Sequence, residues 1–287
     1  MKRRDFLKAT AAGLGAAYVR KSALARVAEQ GARFSATDIV VLGNTGIRTS
    51  RLACGTGTVG YDHHSNQTAL GVRGLADLLW RGYDHGLRFF DTADSYGSHP
   101  HVREALKHVP REKVVIMTKS AARKPDQMRA DLDRFRKELN TDYIDLLMMH
   151  CLTEKNWTER FRPAMDVLSE AKTKGIIRAH GCSCHDIKAL SEAAQSPWVD
   201  VILSRINPIG SHMDADPDTV KATLAQGRAS GKAIIGMKIL GQGDMRTRQD
   251  EALRYAFSIG ILDAFTIGAE NAREQDDLIR RISAVNV

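Results

Sequence analysis

Four residues of this chain could together deliver a proton to a carbonyl oxygen: Asp91, Tyr96, Lys119 and His150. Three of them close an apolar run. Asp91 ends Arg88-Phe89-Phe90-Asp91, Lys119 ends Val114-Val115-Ile116-Met117-Thr118-Lys119, and His150 ends Asp145-Leu146-Leu147-Met148-Met149-His150. Tyr96 follows Asp91 in Thr92-Ala93-Asp94-Ser95-Tyr96-Gly97. A lysine at the end of a buried strand is costly unless an acid pairs with it, and Asp91 is the available acid. A phenol beside an ammonium has its anionic form favoured, so Tyr96 is expected to fall below the ordinary tyrosine pKa of about 10. That would make it a proton donor near neutral pH, with His150 orienting a carbonyl oxygen or relaying the proton. Each residue alone has a plainer explanation: a cap for Asp91, snorkelling for Lys119, a satisfied core histidine for His150, packing for Tyr96. Four chemically matched groups at successive strand ends are harder to assign to chance.

Such a set needs a scaffold that brings strand ends together. Short apolar runs occur at 51–54, 87–91, 114–119, 143–150, 177–183, 199–206, 233–239 and 262–267. Segments of helical period lie between them, as in Met128, Leu132, Phe135 and Leu139, or Met165 and Leu168. Strict alternation implies parallel strands with right-handed helical crossovers. Eight such units suit a (β/α)8 TIM barrel, an α/β fold whose usual length is ~250 residues. Ahead of them, 38–42 and 47–52 flank Gly43-Asn44-Thr45-Gly46 and predict a β-hairpin plugging the barrel bottom. A doubly wound sheet is the runner-up and would want a glycine-rich nucleotide turn after its first strand. Gly55-Thr56-Gly57-Thr58-Val59-Gly60 does read G-x-G-x-x-G. No clean helix starts at Gly60, however, and the acid that should close a second strand falls at Asp77, mid-helix, so the dinucleotide reading lacks its context.

These residues resemble the aldo-keto reductase superfamily. The likeness rests on 89–97 with Asp91 and Tyr96, on Lys119 after its strand, and on Asp142-Tyr143-Ile144-Asp145-Leu146 leading to His150. Lys174-Gly175-Ile176-Ile177-Arg178 and Leu42-Gly43-Asn44-Thr45-Gly46 add to it, so that it spans about 38–280. The resemblance implies a β/α barrel that binds NADP(H) extended, without a Rossmann motif, and transfers hydride between nicotinamide and an aldehyde or ketone. It implies Tyr96 as general acid, Lys119 tuning it, Asp91 holding Lys119, and His150 positioning the carbonyl.

The cofactor half departs from the family pattern. The resemblance puts the nicotinamide carboxamide against Ser183 and Cys184, the latter where the family has asparagine, and against Leu203 where it has glutamine. Met237 stands where an aromatic ring would stack, followed by Lys238. The adenosine end falls on Gly268, Glu270 and Arg273; it lacks the usual lysine, and Glu270 would repel a 2′-phosphate. NADP is the expected cofactor, with NAD possible. The family's long C-terminal substrate loop is not expected after the last helix. An alternative reading is a cofactor-binding barrel that serves as a sensor or partner subunit with little turnover.

Composition narrows the class further. The 287 residues carry 42 Lys plus Arg, 34 Asp plus Glu and a net charge of +8. Residues 1–25 hold Lys2, Arg3, Arg4, Lys8, Arg20 and Lys21 against the one acid Asp5, so the basic excess is concentrated there and does not describe a nucleic-acid surface. Arg3-Arg4-Asp5-Phe6-Leu7-Lys8, a mildly apolar run 9–19 and the small-x-small Ala23-Leu24-Ala25 resemble a bacterial twin-arginine signal, against a disordered basic tail or amphipathic helix as the plain alternative. The expected organisation is a signal peptide at 1–25, a linker at 26–37 and the barrel at 38–287. The expected location is periplasmic or exported, or cytoplasmic if the signal is not used. Expected partners are a small carbonyl substrate and the twin-arginine export machinery, with no nucleic acid and no stable membrane anchor, because the apolar run is shorter than the roughly 20 residues a span needs. Cys54, Cys151, Cys182 and Cys184 match no familiar metal-ligand spacing, and no metal is expected.

Overall fold

The computed structural model describes residues 34–287. The signal sequence expected at 1–25 and most of the linker expected at 26–37 lie outside the described residues. Two short antiparallel strands come first, β1 (Ile39–Val41) and β2 (Arg48–Ser50). Eight β/α units follow: β3 (Leu52–Gly55), α1 (Gly71–Asp84), β4 (Phe89–Asp91), α2 (His99–Ala105), β5 (Val115–Ser120), α3 (Pro125–Leu139) and β6 (Ile144–Leu152). After a single turn, α4 (Trp157–Arg160), come α5 (Arg162–Thr173), β7 (Ile177–Cys184), α6 (Ile187–Gln195), β8 (Val201–Arg205), α7 (Pro217–Ala229), β9 (Ala233–Met237), α8 (Gln249–Ser258), β10 (Ala264–Ile267) and α9 (Ala272–Ser283). β3 to β10 pair in parallel and close into a barrel in chain order, β10 meeting β3. The expected (β/α)8 architecture is therefore the observed one.

Alternation along each strand explains both why the strands read as continuous apolar runs and where the site lies. One set of side chains points inward: Ala53, Phe89, Val115, Met117, Leu146, Met148, Ala179, Val201, Leu203, Ala233, Ile235 and Ala264 fill the barrel. The other set, including Phe90, Ile116, Leu147, Cys182, Ile202 and Ile234, packs against the helices. The stripe expected on α3 (Met128, Leu132, Phe135, Leu139) is buried in that outer layer. The hairpin seals one end. Leu42 and Ile47 are fully buried and join the inner layer, while Gly43 lies so close to β9 that a Cβ there would stand 2.4 Å from the Ala233 nitrogen. Among the described residues no helix is long and apolar enough to cross a membrane.

Candidate active site

Two residues beyond an inward-facing side chain, the next inward-facing position reaches the mouth. Phe89 leads to Asp91, Met117 to Lys119 and Met148 to His150, and β4, β5 and β6 are neighbours in the barrel. Lys119 is completely buried. Its Nζ donates to Asp91 Oδ1 at 2.5 Å and to the Thr92 carbonyl at 2.8 Å. The second Asp91 oxygen accepts from Thr266 Oγ1 of β10 at 2.8 Å. β3 lies between those two strands. Thr266 passes it at Gly55, where a Cβ would stand 2.8 Å from Thr266 Oγ1. Tyr96, half-buried in the turn after β4, places its ring 4.6 Å from Lys119 Nζ and edge-on to His150, with centroids 5.8 Å apart. Ser95 Oγ lies 3.5 Å from His150 Nδ1. The structure thus brings all four sequence-identified residues together.

The electrostatics correct one expectation. Tyr96 is raised above the ordinary tyrosine value, not lowered: burial raises it, and the nearby Lys119 ammonium pulls it down without overcoming that burial. Burial disfavours the charge on Lys119, but Asp91 and Tyr96 outweigh it and the ammonium ends above its usual pKa. His150 falls well below the usual histidine value through burial, with Lys119, His185 and Arg123 adding to the effect. At neutral pH the site therefore holds a protonated phenol, an ammonium and a neutral imidazole.

The rest of the rim was only partly legible. Ser183 points to the mouth, but its Oγ accepts from the Cys151 backbone N–H at 2.9 Å. Cys151 follows His150 with φ +55°, in an irregularity of the β6–β7 register. Cys184 has the opposite strand parity: it is fully buried in the layer facing the helices, its Sγ 3.9 Å from that of Cys182. Leu203 is fully buried in the inner layer, in register with Ser183. The mouth position on β8 is Arg205, paired with the buried Asp214, which sequence reasoning missed although it stands two residues beyond Leu203. Met237 is half-buried at the inner end of β9. Lys238, at φ +54°, bonds the Gln242 side chain. Gly268 packs under Gln67 and Thr58, so a Cβ there would stand 2.6 Å from Gln67 Nε2. Glu270 Oε1 accepts from Asn66 Nδ2 at 2.7 Å, and Arg273 is exposed.

A second polar cluster buttresses the Tyr96 turn. Asp94, His99 and Glu138 offer ligand atoms within 4.8 Å of one another. The Arg134 guanidinium already supplies positive charge there, bonding both Asp94 oxygens at 2.7 and 2.9 Å and Glu138 at 3.1 Å. His99 Nδ1 donates to the Glu138 carboxylate and its Nε2 pairs with the Thr118 hydroxyl, each at 2.7 Å.

Histidines near the barrel set an acid limit. His180 is lowered to about 4, first by burial and against the pull of Asp200; His185 is also lowered to about 4, by burial and then by Arg205 and Lys238. An unfolded imidazole binds its proton near pH 6.5, while these bind only near 4. The unfolded chain thus holds more protons in that window, so stability falls as pH drops from about 6.5 to about 4. The loss is about 3 kcal/mol for the buried His180 and less for half-buried His185. Urea midpoints at pH 7 and pH 4 should differ accordingly; equal midpoints would contradict the assignment.

Comparison with known proteins bears on this geometry. Residues 51–258 match the model of the aldo/keto reductase family. The NADH-specific methylglyoxal reductase of Escherichia coli K12 is 28% identical over 198 residues, covering 61% of this chain and 60% of that protein. The Glycine max protein named Probable aldo-keto reductase 1 is 31% identical over 221 residues, covering 68% and 62%. The chain therefore spans about three fifths of the length of these curated relatives. Among solved structures, the holo form of an aldo-keto reductase from Bacillus halodurans superposes with a TM-score of 0.71 at 16% identity, covering 88% of this chain and 92% of that one. A Bombyx mori aldo-keto reductase in complex with NADP gives 0.63 at 17%, covering 87% and 92%. At such identities these two structures speak for the fold alone.

Proposed function

Since the chain belongs to the aldo/keto reductase family, we propose that it reduces aldehydes or ketones with a nicotinamide dinucleotide, Tyr96 acting as general acid. The observation that carries this reading is the buried Lys119 ammonium, held by Asp91 and facing the Tyr96 ring.

A bound reduced nicotinamide would supply the hydride. Everything else falls to the chain. Tyr96 keeps its proton at neutral pH, because burial raises its pKa, and so holds it ready for the carbonyl oxygen. Lys119 stabilises the phenolate left behind, while Asp91 and the Thr92 carbonyl prevent the ammonium from swinging away. His150, neutral and steadied by Ser95, can direct an N–H at the same oxygen.

The residues present fit the reacting end of the cofactor. Leu203 and Met237 belong to the apolar inner layer on β8 and β9, and the Ser183 hydroxyl, which accepts from Cys151, keeps its own hydrogen free for the carboxamide. Lys238 supplies a half-buried cation at the end of β9. Cys184 faces the helices, so it offers the carboxamide no contact. At the adenosine end Glu270 and Glu274 flank the start of α9, with Arg273 between them in sequence. These carboxylates oppose a 2′-phosphate, so NADPH is expected to keep less than a ~10-fold advantage over NADH, under about 1.4 kcal/mol.

Purified protein mixed with NADPH or NADH and a panel of aldehydes, methylglyoxal included, should form alcohol in step with cofactor oxidation. Tight nucleotide binding without turnover across the panel would replace this reading with the sensor or partner-subunit alternative. Export by the twin-arginine pathway is proposed from Arg3-Arg4-Asp5-Phe6-Leu7-Lys8, the apolar run 9–19 and Ala23-Leu24-Ala25. Changing Arg3 and Arg4 together to Lys in the full chain should abolish it in cell fractionation.

A further inference from the structure

The glycines of Gly55-Thr56-Gly57-Thr58-Val59-Gly60 acquire a role that a nucleotide turn does not describe. A Cβ on Gly57 would stand 2.2 Å from Tyr96 Cε2 and 2.4 Å from both Cδ2 and Cζ. A Cβ on Gly60 would stand 2.3 Å from Cδ1 and 2.8 Å from Cε1. Those atoms belong to opposite halves of one ring, and such near-equal distances to neighbouring ring atoms are met over its face. The Tyr96 ring therefore lies flat in a slot lined by two glycine backbones, with Lys119 Nζ 4.6 Å from its centroid and His150 edge-on to it. Side chains at protein packing density do not approach that closely, so only glycine lets the ring occupy this place.

The slot is held by a strap that is itself under strain. Val59, Asp62 and His63 all take left-handed φ values, 54°, 49° and 59°, each of order 1–3 kcal/mol uphill for such residues. Contacts with the Tyr96 turn keep them there. The His63 N–H donates to the Ser95 carbonyl at 2.9 Å, and His63 Nδ1 lies 3.0 Å from the Asp94 carbonyl. Thr56 bonds the Asp91 carbonyl with both its N–H, at 3.0 Å, and its hydroxyl, at 2.8 Å. Gly97, at φ +65°, lies against the strap so closely that a Cβ would stand 2.2 Å from the His63 carbonyl oxygen. The strap and the turn thus fix one another, with the reacting ring between them.

We propose that Gly57 and Gly60 are positioning residues for proton transfer: they set the plane of the Tyr96 ring and so aim its hydroxyl at the carbonyl oxygen. This rests on the reading of Tyr96 as general acid. A displacement of about 1 Å at a reacting group typically lowers turnover ~100-fold.

The test is a pair of cycles in the full chain. Gly57→Ala should lower kcat by ~10- to 100-fold while NADPH affinity, read by fluorescence titration, stays within about twofold. Added to Tyr96→Phe, it should cause little further loss, because the group it positions is already gone. A wild-type kcat in Gly57→Ala, or a loss that multiplies with that of Tyr96→Phe, overturns the inference. Gly60→Ala repeats the comparison at the other half of the ring. If either variant folds poorly, melting in a Tyr96→Ala background decides the matter. Recovery there supports a slot built for the ring, and failure to recover shows a loop that needs glycine for itself. Full turnover in Tyr96→Phe would instead sink the underlying reaction and is read separately.

Discussion

Tyr96→Phe should lower kcat for carbonyl reduction by ~10³-fold, within the 10²–10⁴ range of a positioned general acid, with NADPH affinity and melting temperature little changed. The expectation follows from what the substitution removes and what it leaves. Phenylalanine fills the same slot between Gly57 and Gly60, so the ring, the strap and the Lys119 face remain as they were. Only the proton is lost. Because burial holds the Tyr96 pKa up, the wild-type enzyme should retain its reductive activity above neutral pH and lose it only when the phenol ionises. The variant's residual rate should show no such alkaline limb. Steady-state kinetics against pH, with nucleotide titration as the control on folding, checks both statements. Turnover near the wild-type rate would show that the proton comes from elsewhere.

The second large effect concerns stability. Lys119→Met should destabilise the fold by about 3–5 kcal/mol, because it leaves the Asp91 carboxylate buried without its cation. Asp91 retains only Thr266 Oγ1 as a side-chain partner at 2.8 Å. Combining Lys119→Met with Asp91→Asn removes the orphaned charge and should restore most of the stability. It should restore none of the activity, since nothing then stabilises the phenolate of Tyr96. Chemical denaturation of the single and double variants, beside their kcat values, separates the two roles of the ion pair. Additive destabilisation in the double variant would mean that the pair does not act as a unit.

How far these features were legible depended on what kind of information carried them. The barrel was legible because strands buried on both faces must be apolar throughout and helices must repeat at 3.6, which Met128, Leu132, Phe135 and Leu139 do. The four reacting groups were legible because a charged or imidazole residue ending such a strand stands out, as Lys119 and His150 do. Parity along a strand carries two further placements. Counting from Ser183 places Cys184 among the helices, and counting two beyond Leu203 finds Arg205 at the rim. The sign of the Tyr96 shift was not legible. It depends on how completely the segment 56–66 covers the ring, and that is a property of packing and not of spacing. The same holds for the glycine slot. G-x-G-x-x-G suggests a close approach to something, and only the folded chain reveals that this something is a tyrosine. The Arg134 network draws Asp94, Asp131 and Glu138 from two segments that sequence gave no reason to join.

The hydrogen bond from Thr266 to Asp91 joins the two ends of the barrel's strand order. β10 is the last strand of the barrel, and it contributes to a constellation whose four named groups all come from the chain up to β6. A chain emerging from the ribosome can bring Asp91, Tyr96, Lys119 and His150 close together long before residue 266 is made. Yet the carboxylate that anchors the ammonium lacks its second partner until the final strand docks beside β3. Thr266 thereby ties the carboxylate that anchors the ammonium to the strand that closes the ring, so one hydrogen bond joins the chain's first barrel strands to its last.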